Sequence, residues 1–155
     1  MKKILFMMLF LGLTFSQTWA DEKLYSYGTV FGGGGAVNSF LVGHFGACGG
    51  VVYESGFGFN AEGGYMVAFG NYTEGVLLAD INANYHFLNS TSSKRLTPFL
   101  TGGYTWYCPD GHRFNFGGGI DYWLKPKTGI RFEIRDHPLG EVNIIGVRAA
   151  FVFRN

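Results

Sequence analysis

In the segment 129–137, GIRFEIRDH, the apolar side chains Ile130, Phe132 and Ile134 alternate with the charged Arg131, Glu133 and Arg135. Residues two apart share one side of a strand, so this segment predicts a strand with one apolar and one charged face. The same alternation recurs in eight segments, 24–33, 44–53, 57–68, 76–87, 96–107, 113–124, 129–136 and 143–154. The gaps between them are rich in turn residues, as in Glu54-Ser55-Gly56, Pro109-Asp110-Gly111 and Lys125-Pro126-Lys127. Such short gaps make consecutive strands antiparallel neighbours. No 3.6-residue period is sustained, so the chain reads as all-β.

The two faces differ in size as well as polarity. One carries Tyr25, Tyr27 and Phe31, then Phe45, Val51, Tyr53, Phe57, Phe59 and Tyr65, and continues in the same manner through Leu77, Ile81, Leu100, Tyr104, Phe116, Ile120, Ile145 and Val147. The other carries Asn60, Glu62, Asp80, Asn82, Asn84, His86, Asn115, Asp121, Arg131, Glu133, Arg135 and Arg148, spaced by glycines. An eight-stranded barrel is only wide enough inside for side chains to fill it, and about thirty large apolar groups exceed that space. The apolar face is therefore expected outside, against lipid. A water-facing surface would be rich in Lys and Glu, whereas Lys23, Lys94, Lys125 and Lys127 all fall at strand ends or turns.

The first twenty residues follow a different rule. Lys2 and Lys3 precede an apolar run from Ile4 to Phe15, and Thr18-Trp19-Ala20 precedes Asp21. This predicts a secretory signal peptide over 1–20, since the run is shorter than the roughly 20 residues of a spanning helix. The remainder, 21–155, forms one domain. Its 24 Gly, 13 Phe, 9 Tyr and 2 Trp suit a membrane barrel, and its ten basic against eleven acidic residues offer nothing to attract nucleic acid.

With both termini on the periplasmic side, Tyr25, Tyr27, Tyr53, Phe57, Tyr85, Phe87, Tyr122, Phe151 and Phe153 are predicted at the periplasmic rim, and Tyr65, Trp106 and Phe114 toward the outer rim. Two aromatic girdles around an apolar band are what a membrane barrel needs at its interfaces. The same polarity brings Glu62, Asp80, Glu133 and Arg148 to similar mid-depth, with Asp121 and Arg131 on adjacent strands lower down, and Arg135 completes a tally of four acids against three arginines. A buried charge without a partner costs several kcal/mol, so these seven are expected to form an ion-pair network plugging the lumen.

The stretch FNFGGGIDYWLKPKTGIRFEIRDH (114–137) and the alternating IIGVRAAFVF (144–153) resemble the small outer-membrane β-barrel proteins of Gram-negative bacteria, the OmpA/OmpX-like class with eight strands. The resemblance spans the chain after residue 20 and is one of pattern. It implies an up-and-down transmembrane barrel in the cell outer membrane, in contact with outer-membrane lipid and inserted by the assembly machinery. Barrels of this class end on an aromatic residue read by that machinery, whereas Arg154 and Asn155 follow Phe153 here.

Other candidate chemistry is sparse. Cys48 and Cys108 fall on separated strands in a disulfide-permissive compartment, and bridged and free states are both open. No spacing suggests a metal site or a cofactor. Some small outer-membrane barrels are lipid A deacylases with a His/Ser pair, but His44, His86, His112 and His137 include no His-x-Ser, and His137 reads as a loop residue. Gly32 to Gly35 lack the following helix a phosphate loop requires and read as a strand end entering an outer loop. Asn71 and Asn89 match a glycosylation pattern that is incidental in a bacterial protein. A non-enzymatic structural or surface-interacting barrel is the expectation, with a narrow pore or a lipid-modifying enzyme as alternatives; no external ligand is named.

Overall fold

The computed structural model describes residues 25–37, 40–69, 74–88, 95–108, 111–139 and 142–155. They form β1 (Tyr25–Val37), β2 (Phe40–Val52), β3 (Phe57–Phe69), β4 (Glu74–His86), β5 (Leu96–Cys108), β6 (His112–Lys125), β7 (Thr128–Leu139) and β8 (Val142–Arg154). Each strand pairs antiparallel with its chain neighbours, and β1 pairs with β8, which closes the barrel and leaves no sheet edge. At 12 to 14 residues, the strands exceed the roughly 9–11 a tilted transmembrane strand needs. The segment 1–20 assigned to a signal peptide lies outside the described residues, as do Asn71 and Asn89.

Alternation decides which side chain goes where. In β7, Phe132 and Ile134 are 57% and 58% exposed, while Arg131, Glu133 and Arg135 between them are buried. The exterior elsewhere is Phe45, Phe59, Ile81, Leu100, Phe116, Ile120, Val147 and Phe151, all exposed. An apolar belt of this extent on a closed sheet is a lipid-facing surface.

The expected orientation is wrong in β1. Tyr25, Tyr27 and Phe31 point into the lumen rather than outward, with Tyr27 and Phe31 buried and Tyr25 packed on the inner cluster around Tyr27 and Trp123. The outward positions of this strand are Ser26, Gly28, Val30 and Gly32, so its smaller side chains face lipid. The Phe31 ring fits inside because its partner on the neighbouring strand β2 is bare: a Cβ on Gly46 would lie 2.7 Å from that ring.

Strand ends also differ from expectation. β1 runs on through Gly32–Gly35 to Val37, paired with β2 and β8. Glycine has no side chain to alternate, which hid the strand. A Cβ on Gly33 would lie 2.7 Å from Arg148 Cα, so this position stays bare where β8 comes close. β7 likewise continues to Leu139, which places His137 within a strand, facing inward and buried, and not in a loop.

The interior is layered. Tyr27, Val52, Trp123 and Val152 form an apolar cluster at the end holding the termini. Val42, Met66, Leu78, Tyr107 and Ile144 form another at the opposite end. The charged side chains lie between them.

Candidate functional site

The charged layer is positioned by register. Glu133 on β7 is the cross-strand partner of Arg148 on β8, Asp121 on β6 that of Arg131 on β7, and Glu62 on β3 that of Asp80 on β4. All seven side chains turn inward because each occupies the parity opposite to its strand's apolar row.

Two assemblies result. In the first, Arg131 holds Asp121 with Nε to Oδ1 at 2.6 Å and Nη2 to Oδ2 at 2.9 Å. This two-point pairing is the strong form of a charge-assisted hydrogen bond. The Arg131 guanidinium also lies 4.3 Å from the Phe99 ring centre and 5.0 Å from that of Tyr27, contacts that suit a desolvated cation. His86 stacks on Phe99 and brings Nδ1 to 3.7 Å from Asp121.

The second assembly crosses the barrel. Arg148 donates from Nη1 to Glu62 Oε1 at 2.5 Å and from Nη2 to Glu62 Oε2 at 3.0 Å, while Nη2 also reaches both Glu133 oxygens at 3.1 Å. Arg135 donates from Nε to Glu133 Oε1 at 2.8 Å, and its Nη1 lies 3.3 Å from Glu62 Oε2 and 3.5 Å from Asp80 Oδ2. The Phe31 ring lies 4.4 Å from the Arg148 guanidinium. Between the assemblies, Asn82 donates to Asn60 at 2.9 Å, and Asn60 and Asn84 donate to the Tyr27 hydroxyl at 3.1 and 3.3 Å. Toward the opposite end the buried His44 and His137 rings sit edge to face, 6.3 Å apart.

The structure thus brings the seven charged residues into one lumen. Reading the sequence missed the aromatic floor of the site, Tyr27, Phe31 and Phe99, together with the His44–His137 pair. Phe99 stands between Thr97 and Thr101 in the inward parity of β5, a signal obscured by the outward Leu100 beside it.

The outer wall carries the rings assigned to girdles, apart from Tyr25 and Tyr27. Phe57, Tyr85 and Phe87 cluster at 4.9 and 5.0 Å between ring centres, with Phe151, Phe153 and Tyr122 exposed at the same end and Tyr53 half-buried by the β2–β3 turn. At the other end Tyr104 packs on Trp106 and Phe114, and Tyr65 on Phe45. Tyr104 Oη is hydrogen-bonded to His112 Nδ1 on this outer surface. Where Arg154 follows the last aromatic residue, its guanidinium lies 4.0 Å from the Trp123 ring centre and its Nε donates to Pro126 O at 2.9 Å. Cys48 and Cys108 are both free thiols.

No protein-family model and no curated protein matches the chain. Solved structures do. Ail, the attachment invasion locus protein of Yersinia pestis, in a crystal structure with the heparin analogue sucrose octasulfate, is similar with a TM-score of 0.60 at 10% identity, over 85% of this chain and 98% of that one. Neisserial surface protein A gives 0.58 at 13%, over 84% and 95%. The outer membrane enzyme PagL gives 0.51 at 12%, over 81% and 97%. At these identities the likeness is one of fold: the chain has the architecture of a small eight-stranded outer-membrane β-barrel.

Proposed function

We propose that the protein is a non-enzymatic integral barrel of the outer membrane, with a structural or surface-interacting role and a lumen kept closed by ion pairs. The observation that supports this reading best is the bond from Arg148 on β8 to Glu62 on β3, which ties opposite walls together through the axis. Apolar clusters stand above and below it. Solutes meet three filled layers in succession, an arrangement that favours a plug over a narrow pore. Outer-membrane lipid is the natural partner of the apolar belt, and the assembly machinery its partner during insertion.

The fold also carries enzymes, so the catalytic alternative is weighed on residues. The chain contains no His-x-Ser. His44, His86 and His137 are buried in the lumen, away from lipid, and His112 Nδ1 engages the Tyr104 hydroxyl.

Overproduction in a Gram-negative host tests the reading. The expected result is heat-modifiable protein in the outer-membrane fraction with lipid A of unchanged mass. Recovery in the soluble periplasm would remove the membrane assignment, and a lipid A mass shift absent from the vector control would remove the non-enzymatic one.

A further inference from the structure

Arg131 is committed to Asp121, so the middle layer holds three carboxylates, Glu62, Asp80 and Glu133, against two guanidiniums, Arg135 and Arg148. Fully ionised, this layer carries one negative charge too many. Its side chains are only 0–7% exposed, and an uncompensated charge there is far costlier than a neutral acid.

The contacts locate the surplus. Glu133 accepts from both arginines, and Glu62 takes two bonds from Arg148 and one from Arg135. Asp80 has one guanidinium contact, at 3.5 Å, and its buried Oδ1 has no hydrogen-bond partner. Glu62 and Asp80 are direct cross-strand partners, which puts their Cβ atoms about 4.5–5.5 Å apart on one face. Around Asp80 stand Glu62 on β3, Tyr107 and the neutral Thr105 on β5, and Arg135 on β7; Glu133 and Arg148 complete the charged layer through Glu62 and Arg135. The imidazoles do not supply the missing positive charge. A protonated ring donates from both nitrogens, and Nε2 of both His44 and His137 is enclosed without an acceptor.

We propose that the Glu62–Asp80 pair binds one proton, carried on Asp80 and shared with Glu62, which makes the middle layer electroneutral and renders the plug sensitive to alkali. Adjacent carboxyls behave this way because ionising both places like charges side by side, and the proton then belongs to the pair. The sign of the pH effect follows. The folded barrel keeps a proton that an unfolded carboxyl has released, so this contribution is full in acid and is lost as pH rises past the point where the folded pair lets go. The inference rests on the sealed lumen, because water or a cation entering the layer would compensate the charge instead.

Infrared spectroscopy of the wild type in bilayers tests it, with Asp80→Asn as comparison. The expected spectrum at neutral pH contains the carbonyl stretch of a protonated carboxyl that disappears in alkali and is absent from Asp80→Asn. The wild-type urea midpoint should fall on going from neutral to alkaline buffer, while that of Asp80→Asn stays level and matches the wild type at neutral pH. A wild type without the protonated-carboxyl band overturns the proposal, even should the variant fail to fold. So does a wild-type midpoint that rises with sodium or potassium at neutral pH, which would make the bound charge a metal cation. Conductance separates the two readings: a conducting wild type removes the sealed lumen, whereas a silent one without the band removes only the proton.

Discussion

Arg148 and Glu62 lie on strands three steps apart around the wall, yet their side chains meet at 2.5 and 3.0 Å inside the barrel. The pair spans the lumen, as do the contacts of Arg135 on β7 with Glu62 on β3 and Asp80 on β4, whereas Arg131–Asp121 and Arg148–Glu133 join neighbouring strands. Arg148 also holds Glu133, so removing it leaves Glu62 and Glu133 sharing Arg135 alone in a desolvated layer. Breaking a buried ion pair by deleting one partner costs about 3–5 kcal/mol. Arg148→Ala and Glu133→Ala are each expected to lose about that much, read from urea unfolding in liposomes.

The exterior of β7 makes a contrasting prediction. Phe132 sits one residue from Glu133, on the opposite face, and is exposed. An arginine on the lipid face near the midplane costs about 2–4 kcal/mol. Phe132→Arg should show that loss in bilayers, and a variant as stable as wild type would place the position in water.

Neighbouring glycines on β1 should respond in opposite ways. A Cβ on Gly33 would sit 2.7 Å from Arg148 Cα, whereas one on Gly32 meets nothing within 4 Å. Gly33→Ala is expected to cost about 1–3 kcal/mol through backbone displacement, and Gly32→Ala to change stability by less than about 0.5 kcal/mol. Unfolding of the two variants side by side checks this, with equal effects counting against the assigned orientation of β1.

The inward turn of Tyr27 has its own test. Its hydroxyl accepts from Asn60 and Asn84, so Tyr27→Phe leaves buried amide donors without an acceptor, at about 1–3 kcal/mol. A tyrosine facing lipid would tolerate the change.

Much of this architecture was legible because strand alternation is strict where large side chains mark both faces. In β7 the row Ile130, Phe132, Ile134 against Arg131, Glu133, Arg135 admits one orientation, and the seven lumen charges followed from the same logic on β3, β4, β6 and β8. The reasoning failed in β1, where the outward row is Ser26, Gly28, Val30 and Gly32. Taking the larger rings as lipid-facing inverted the strand, since the rule compares apolarity and knows nothing of the space that Gly46 leaves inside. Gly32–Gly35 hid a strand extension for want of any side chain to alternate. The His44–His137 contact depends on three-dimensional closure between β2 and β7, which no local pattern reports.

Free thiols are a further expectation. Cys48 faces inward beside Glu62 on the adjacent strand, and Cys108 is exposed at the far end of β5. Intact mass after alkylation should show Cys108 modified in the folded protein and Cys48 only after unfolding. A protein two hydrogens lighter and inert to alkylation would contradict the free pair.

Single-channel recording in planar bilayers addresses the closed lumen most directly. The wild type should give no conductance above the protein-free bilayer, and Arg148→Ala, which removes the link between β8 and β3, should admit ion leakage. Steady channel currents from the wild type, unchanged in Arg148→Ala, would contradict a barrel sealed by its ion pairs.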